Sequence, residues 1–193
     1  MKTLKDYADT ILVPEPIYVK KTPELNAKFK KMADEIYNCK ARNHNKRNYS
    51  NVYECVEKAV IEHALAQQTG MQLNPKDFDH TDRTSYAYDV IDLENGKTFE
   101  CKRWAEKWFS FNERDVLTFR KNIDIVDFLV SGKVFKTSTH YTVAFHLLAN
   151  AKTFEKYVRP SQFTMKLYYD HKNAMKNGDA FFRENVHYTS EVA

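Results

Sequence analysis

Apolar residues recur along this chain with two different periods, and the switches between them mark its elements. Thr22-Pro23-Glu24 places a hydroxyl before a proline and an acid, which is a helix start. Leu25, Phe29, Met32, Ala33 and Ile36 then repeat every three to four residues and predict a helix to about Cys39. The polar, basic stretch Lys40 to Ser50 reads as a loop. A second helical period spans roughly Val52 to Gln68, ends at Gly70, and puts Tyr53, Val56, Val60 and Ala64 on one side. At 100° per residue Glu57 falls on the edge of that stripe, towards the core, and Glu62 on the opposite face, towards water.

Met71 to Thr84 is rich in turn formers, with Asn74-Pro75, Asp77, Asp79 and Asp82. The period then shortens to two. Ser85 to Leu93 and Lys97 to Arg103 are strand-like, and Glu94-Asn95-Gly96 between them predicts a β-hairpin. Trp104 to Lys121 reads as helical or irregular. Asp124 to Val130 predicts a strand, Ser131-Gly132-Lys133 a turn, and Val134 onward a further strand. His140 to Leu148 alternates Tyr141, Val143 and Phe145 and predicts the next strand; helical segments follow from about Asn150, interrupted at Pro160. Phe181 and Phe182 predict some docking of the tail.

Composition adds bounds. The chain has 193 residues, enough for one domain with a real core, and its 42% apolar and 29% charged residues argue against disorder. No apolar run approaches the ~20 residues needed to cross a bilayer. Met1 to Thr10 lacks the apolar core of a signal peptide, and Cys39, Cys55 and Cys101 are odd in number and widely spaced, so a reducing cytoplasm is the expected compartment. The net charge is +4, but residues 51–100 are net acidic while both flanks are net basic, a distribution that suits a metal site within a phosphate-binding surface. Within the basic flank, Arg42, Lys46 and Arg47, with Arg103 after the hairpin, are the candidate nucleic-acid contacts.

The hairpin carries the candidate chemistry. Alternation puts Glu100 and Lys102 on one face of their strand and Phe99 and Cys101 on the other, and Asp89 on the partner strand can reach the first face. Asp92 has the opposite parity and becomes the alternative acid only if the register differs. Two carboxylates a few ångströms apart suit Mg²⁺, which prefers oxygen ligands, lowers the pKa of a bound water and offsets charge on a phosphate under attack. Lys102 can orient the water or neutralise the phosphate, and Glu57 can add a ligand from the preceding helix. The plainer reading pairs Asp89 with Lys102 as a cross-strand ion pair. Turn chemistry is the simpler account of Asp77, Asp79, His80 and Asp82, and core packing that of Cys101. Trp104, Trp108, Phe109 and Phe111 either fill a core or stack on bases.

An acid-bearing helix, Asp89 on one strand and Glu100-Cys101-Lys102 on the next resemble the PD-(D/E)XK, or restriction-endonuclease-like, nuclease superfamily, over roughly residues 51–158. Tyr88 stands where the family motif has proline. The resemblance implies an α/β fold with a central mixed β-sheet flanked by helices (an αβββαβ core) and hydrolysis of phosphodiester bonds in DNA with Mg²⁺, for which Mn²⁺ can substitute. It also implies Asp89, Glu100 and Glu57 as metal ligands and Lys102 as the catalytic lysine. On this reading residues 1–50 are a helical, basic extension, 51–158 the catalytic core and 159–193 a C-terminal helical extension of a single domain. A duplex cutter of this size is expected to work as a homodimer, and the Lys-, Asn- and Tyr-rich composition suits a phage or mobile-element gene. Two alternatives stay open: a structure-selective enzyme such as a Holliday-junction resolvase on the same core, and a non-catalytic nucleic-acid-binding or inhibitor protein that keeps the fold.

Overall fold

Thr22 caps the first long helix as its position before Pro23 predicts: its Oγ1 accepts the Leu25 N–H at 3.2 Å. The computed structural model describes residues 1–42, 52–74, 88–103, 110–111, 124–160 and 167–183. Within these, helices α1 (Leu4–Ile11), α2 (Pro23–Arg42), α3 (Val52–Thr69) and α4 (His171–Lys176) accompany a 3-10 helix at Ala151–Tyr157. The strands are β1 (Ile17–Lys20), β2 (Gln72–Leu73), β3 (Val90–Asp92), β4 (Lys97–Arg103), β5 (Ser110–Phe111), β6 (Phe128–Lys136), β7 (His140–Asn150), β8 (Val158–Pro160), β9 (Leu167–Tyr169) and β10 (Ala180–Phe182). The fold is mixed α/β, a curled mixed sheet packed against helices.

The main sheet runs β1-β7-β6-β4-β3-β2, and β10 joins the edge of β7 beyond the residues that pair with β1. Its neighbours are antiparallel except β4 and β6, which are parallel, with Glu100 beside Leu129 and Lys102 beside Ser131. A parallel pair needs a crossover connection of a dozen or more residues, and 104–127 supplies it. A second sheet, β5-β9-β8, has three strands.

The sheet is buried on both sides. Phe99, Cys101, Val130 and Leu148 pack with α1 and α3, around Tyr7 and Ile61. Leu129, Leu147 and Ala149 point the other way, against Phe154, Tyr157 and Tyr169. The hairpin forms as predicted, with Gly96 at φ +63° in the turn. Asp92 braces it: its carboxylate accepts the N–H groups of Glu94 and Asn95 at 3.1 and 3.2 Å and the Tyr7 hydroxyl at 2.7 Å.

Two expectations are corrected. Ser131-Gly132-Lys133 is no turn: β6 runs straight through it, and the pairing with β7 slips by one residue between Ser131 and Gly132. A Cβ there would stand 3.0 Å from the Phe145 ring and 3.2 Å from the Ala144 carbonyl oxygen, so a larger residue would need its neighbours to give by a few tenths of an ångström. The chain after Asn150 forms a 3-10 helix followed by β8, with Pro160 inside that strand, and the tail docks as β10. Helix α1 was not predicted, although Thr3 and Asp6 form a capping box, the Thr3 N–H donating to Asp6 at 2.7 Å.

Candidate functional site

The β3–β4 ladder closes at Val90 opposite Phe99, and the two strands part immediately beyond it. Asp89 sits in that opening. Its N–H donates to the Phe99 carbonyl at 2.8 Å, so Asp89 and Val90 both address Phe99, as in a β-bulge. Its side chain takes over where the backbone ladder stops, Oδ2 accepting the Cys101 N–H at 2.6 Å. Asp89 therefore reaches the Glu100–Lys102 region through the parting of the strands, not through the simple alternation expected from the sequence. It is 2% exposed, Glu100 9%. Lys102 pairs with Glu100. The three residues of the hairpin motif are gathered at one end of one hairpin.

The helix contributes different residues from those expected. Glu62, predicted to face water, is 1% exposed and lies inside the site. Lys58, one turn earlier on α3, places its Nζ 3.3 Å from Glu62 and 2.9 Å from Asp89 Oδ1. Glu57, predicted to be the inward acid, is instead half-buried and bonds Arg103 at 2.5 Å. The physical reason is that α3 has no single apolar stripe. Cys55, Ala59, Val60, Ile61, Ala64 and Leu65 are all fully buried, because the helix is enclosed by α2, α1 and the sheet at once. A phase fitted to one stripe of such a helix is poorly determined.

Electrostatics follow the geometry. Burial, and then the negative charge of Asp89, push the Glu100 carboxyl above its ordinary value of 4.5; Lys102 and Lys58 only partly offset this. The Cys101 thiol is pushed well up, first by burial and then by Asp89, Glu62 and Glu100, so it is an inert core group and no nucleophile. At Asp92 burial raises the carboxyl, but hydrogen bonds from Tyr7 and Asn95 and the nearby Lys2 outweigh it and leave it lowered, a structural acid of the turn.

Arg103, expected to contact nucleic acid, is engaged by Glu57. Arg42 ends α2, while Lys46 and Arg47 lie outside the described residues, as do Asp77, Asp79, His80 and Asp82 and the aromatic residues Trp104, Trp108 and Phe109. Beside the Glu57–Arg103 pair opens a cleft of 490 Å³ between α2, α3, β6 and β7, lined by Lys21, Lys30 and Lys136 and floored by Val134 and Tyr141. Sequence reading missed Lys58, Glu62 and this cleft. The i,i+4 spacing of Lys58 and Glu62 was the available signal, but it is also ordinary helix-surface chemistry.

Among the described residues no group of three or more Asp, Glu, His or Cys side chains is arranged to hold a metal ion. Asp89 and Glu62 share the ammonium of Lys58, while Glu100 pairs with Lys102; carboxylate oxygens of this kind are the donors a hard cation prefers. No helix among the described residues is long and apolar enough to cross a membrane. No protein-family model matches the chain, and no curated protein matches it.

Proposed function

We propose that this protein is a divalent-metal-dependent DNA endonuclease of the PD-(D/E)XK type. The observation that carries the reading is the convergence of Asp89, Glu100 and Lys102 where β3 and β4 part, with Glu62 brought in by α3. Connectivity supports the same conclusion: helix α3, three antiparallel strands β2, β3 and β4, then β6 parallel to β4, follow the order of those elements in a restriction-endonuclease-like αβββαβ core, whose second helix falls in the 104–127 crossover, most of it outside the described residues.

Each residue has a chemical part. Asp89 and Glu100 would hold Mg²⁺ or Mn²⁺, with Glu62 in support through Lys58, and such an ion would supply an activated water and offset charge at the phosphorus centre. The Cys101 N–H fixes the Asp89 carboxylate at 2.6 Å, so its orientation is set before any ligand arrives. Lys102 stands on the Glu100 carboxylate, where its ammonium can neutralise a phosphate oxygen or orient the attacking water. In the reaction the water oxygen would bond to phosphorus as the P–O bond to the leaving strand breaks, the proton lost by the water passing to solvent and the leaving oxygen taking one up from solvent. Glu57 is removed from the metal set and takes the role of Arg103's partner.

The lysine contacts favour a second reading, a nucleic-acid-binding protein that keeps the fold without chemistry, because two ammonium groups already compensate the acids. Linear duplex, branched and single-stranded DNA, and RNA, incubated with the protein in Mg²⁺, Mn²⁺ or EDTA, separate the readings. Metal-dependent cleavage of linear duplex supports the endonuclease, preference for branched DNA a resolvase, and binding without cleavage the second reading. Sedimentation of the protein with duplex tests the homodimer expected of a duplex cutter.

A further inference from the structure

We infer that the cleft between α2, α3, β6 and β7 is a subsite for one unpaired nucleotide, with the base against its apolar floor and the flanking phosphates on its lysine rim. The inference deepens the proposed function and rests on it in placing that nucleotide in the substrate strand.

The cleft holds about 490 Å³, inside the ~300–1,000 Å³ range of ligand pockets. A duplex cannot enter a space of that size, whereas a single nucleotide can. Its lining offers something to each part of a nucleotide. Val56 and Val134, half-buried on α3 and β6, give an apolar surface for the face of a base. Asn26, exposed on α2, brings an amide that can both donate to and accept from a base edge. Lys21, Lys30 and Lys136 bring ammonium groups from the end of β1, from α2 and from β6. Lys21 is held in place, over the Tyr141 ring at 4.7 Å and donating to the Thr137 carbonyl, while Lys30 and Lys136 are exposed. Glu57, the acid of the lining, is compensated by Arg103. The cleft is thus cationic as well as apolar. That suits an anion with a flat apolar body better than an acidic peptide, whose carboxylates carry no such body.

Position ties the cleft to the candidate site. Glu57 lines it, and Lys58, the next residue of α3, holds Asp89. Arg103, which bonds Glu57, directly follows Lys102 on β4. A strand with one nucleotide in the cleft would pass the Glu57–Arg103 pair on its way to Lys102 and Glu100. Backbone phosphates of a duplex can also reach the rim lysines, but only an unpaired nucleotide reaches the floor, so the floor favours single-stranded DNA.

Fluorescence anisotropy in EDTA, with labelled oligothymidylate and with blunt duplex, tests this on wild type and on two variants. Val134→Phe fills the floor, and Lys30→Ala with Lys136→Ala strips the rim. Val134→Phe should weaken oligothymidylate binding about tenfold relative to duplex, as expected for loss of a buried apolar face. The rim variant should weaken binding of both DNAs and lower both salt slopes. No oligothymidylate binding by wild type, or an unchanged ratio in folded Val134→Phe, overturns the inference. If Val134→Phe is unfolded by circular dichroism, Asn26→Leu, at an exposed position, decides by the same ratio. Phosphotyrosine displacing the oligothymidylate at lower concentration than thymidine 5′-phosphate assigns the cleft to a phosphorylated protein and overturns it. Because binding is read in EDTA, the expected ratios in a protein that cleaves nothing sink the endonuclease and leave the cleft. Metal-dependent cleavage without those ratios sinks the cleft alone.

Discussion

Exchanging Glu62 for glutamine keeps the shape of the side chain and removes one of the two carboxylates on Lys58. At 3.3 Å and an effective dielectric near 20, the gross Lys58–Glu62 attraction is about 5 kcal/mol. Against it stands the cost of holding a carboxylate that is 1% exposed out of water, also several kcal/mol. Lys58 keeps Asp89 at 2.9 Å and is not orphaned, so the net change in stability should be no more than about 2 kcal/mol in either direction. Cleavage should fall far more, by about 10–100-fold, as for groups that support a metal centre. Glu57→Gln is the counterpart. Its pair with Arg103 is 26% and 30% exposed and contributes about 1 kcal/mol or less, and activity should stay close to wild type. Urea unfolding in EDTA, followed by tryptophan fluorescence, and plasmid nicking in Mg²⁺ measure the two effects. An inactive Glu57→Gln beside a fully active Glu62→Gln would refute the assignment of the helix acid.

Glu100 makes a pH prediction in metal-free buffer. Its folded-state pKa is raised above 4.5 by burial and by Asp89, so between those two values the native state binds more protons than the unfolded chain, and stability falls as pH rises. Glu100→Gln should flatten that fall and be at least as stable as wild type at pH 8; a variant that is less stable there contradicts the sign. If the cleft lined by Lys21, Lys30 and Lys136 holds the duplex backbone, Lys30→Glu with Lys136→Glu, both exposed on it, should weaken duplex binding in EDTA and reduce its log–log salt slope by about 2, whereas Lys172→Glu with Lys176→Glu on α4 should have the smaller effect; equal losses would contradict a part for the cleft in binding. Gly132→Ala should cost about 1–3 kcal/mol in urea melts, because its Cβ meets Phe145 at 3.0 Å, and an unchanged midpoint would contradict the close packing.

What could be read from the sequence was what local chemistry decides. The Thr22 cap, the Gly70 and Gly96 boundaries, the alternation along β7 and the Glu100-Cys101-Lys102 strand all depend on residues within a few positions of one another. Cys101 was placed in the core for the same reason, and it is there. Long-range packing decided the rest. The phase of α3 depends on its burial by α2 and the sheet together, so Glu57 and Glu62 were exchanged. Gly132 resembles a turn locally, yet the close approach of Phe145 from β7 makes it a strand position. Asp89 does lie at the Glu100–Lys102 end of the hairpin, but the slip that carries it to the Cys101 N–H is set by two strands at once. Of the four basic residues singled out, Arg103 is held by Glu57, and Lys46 and Arg47 lie outside the described residues.

The central claim is that acids gathered at the open end of the β3–β4 hairpin serve phosphodiester hydrolysis, and Glu100→Ala tests it most directly. Supercoiled plasmid is incubated with wild type and with Glu100→Ala, each shown folded by circular dichroism, in Mg²⁺ and in Mg²⁺ with excess EDTA. The predicted result is nicked or linear DNA from wild type in Mg²⁺ alone and intact plasmid everywhere else. Intact plasmid from folded wild type, or undiminished cutting by Glu100→Ala, contradicts it.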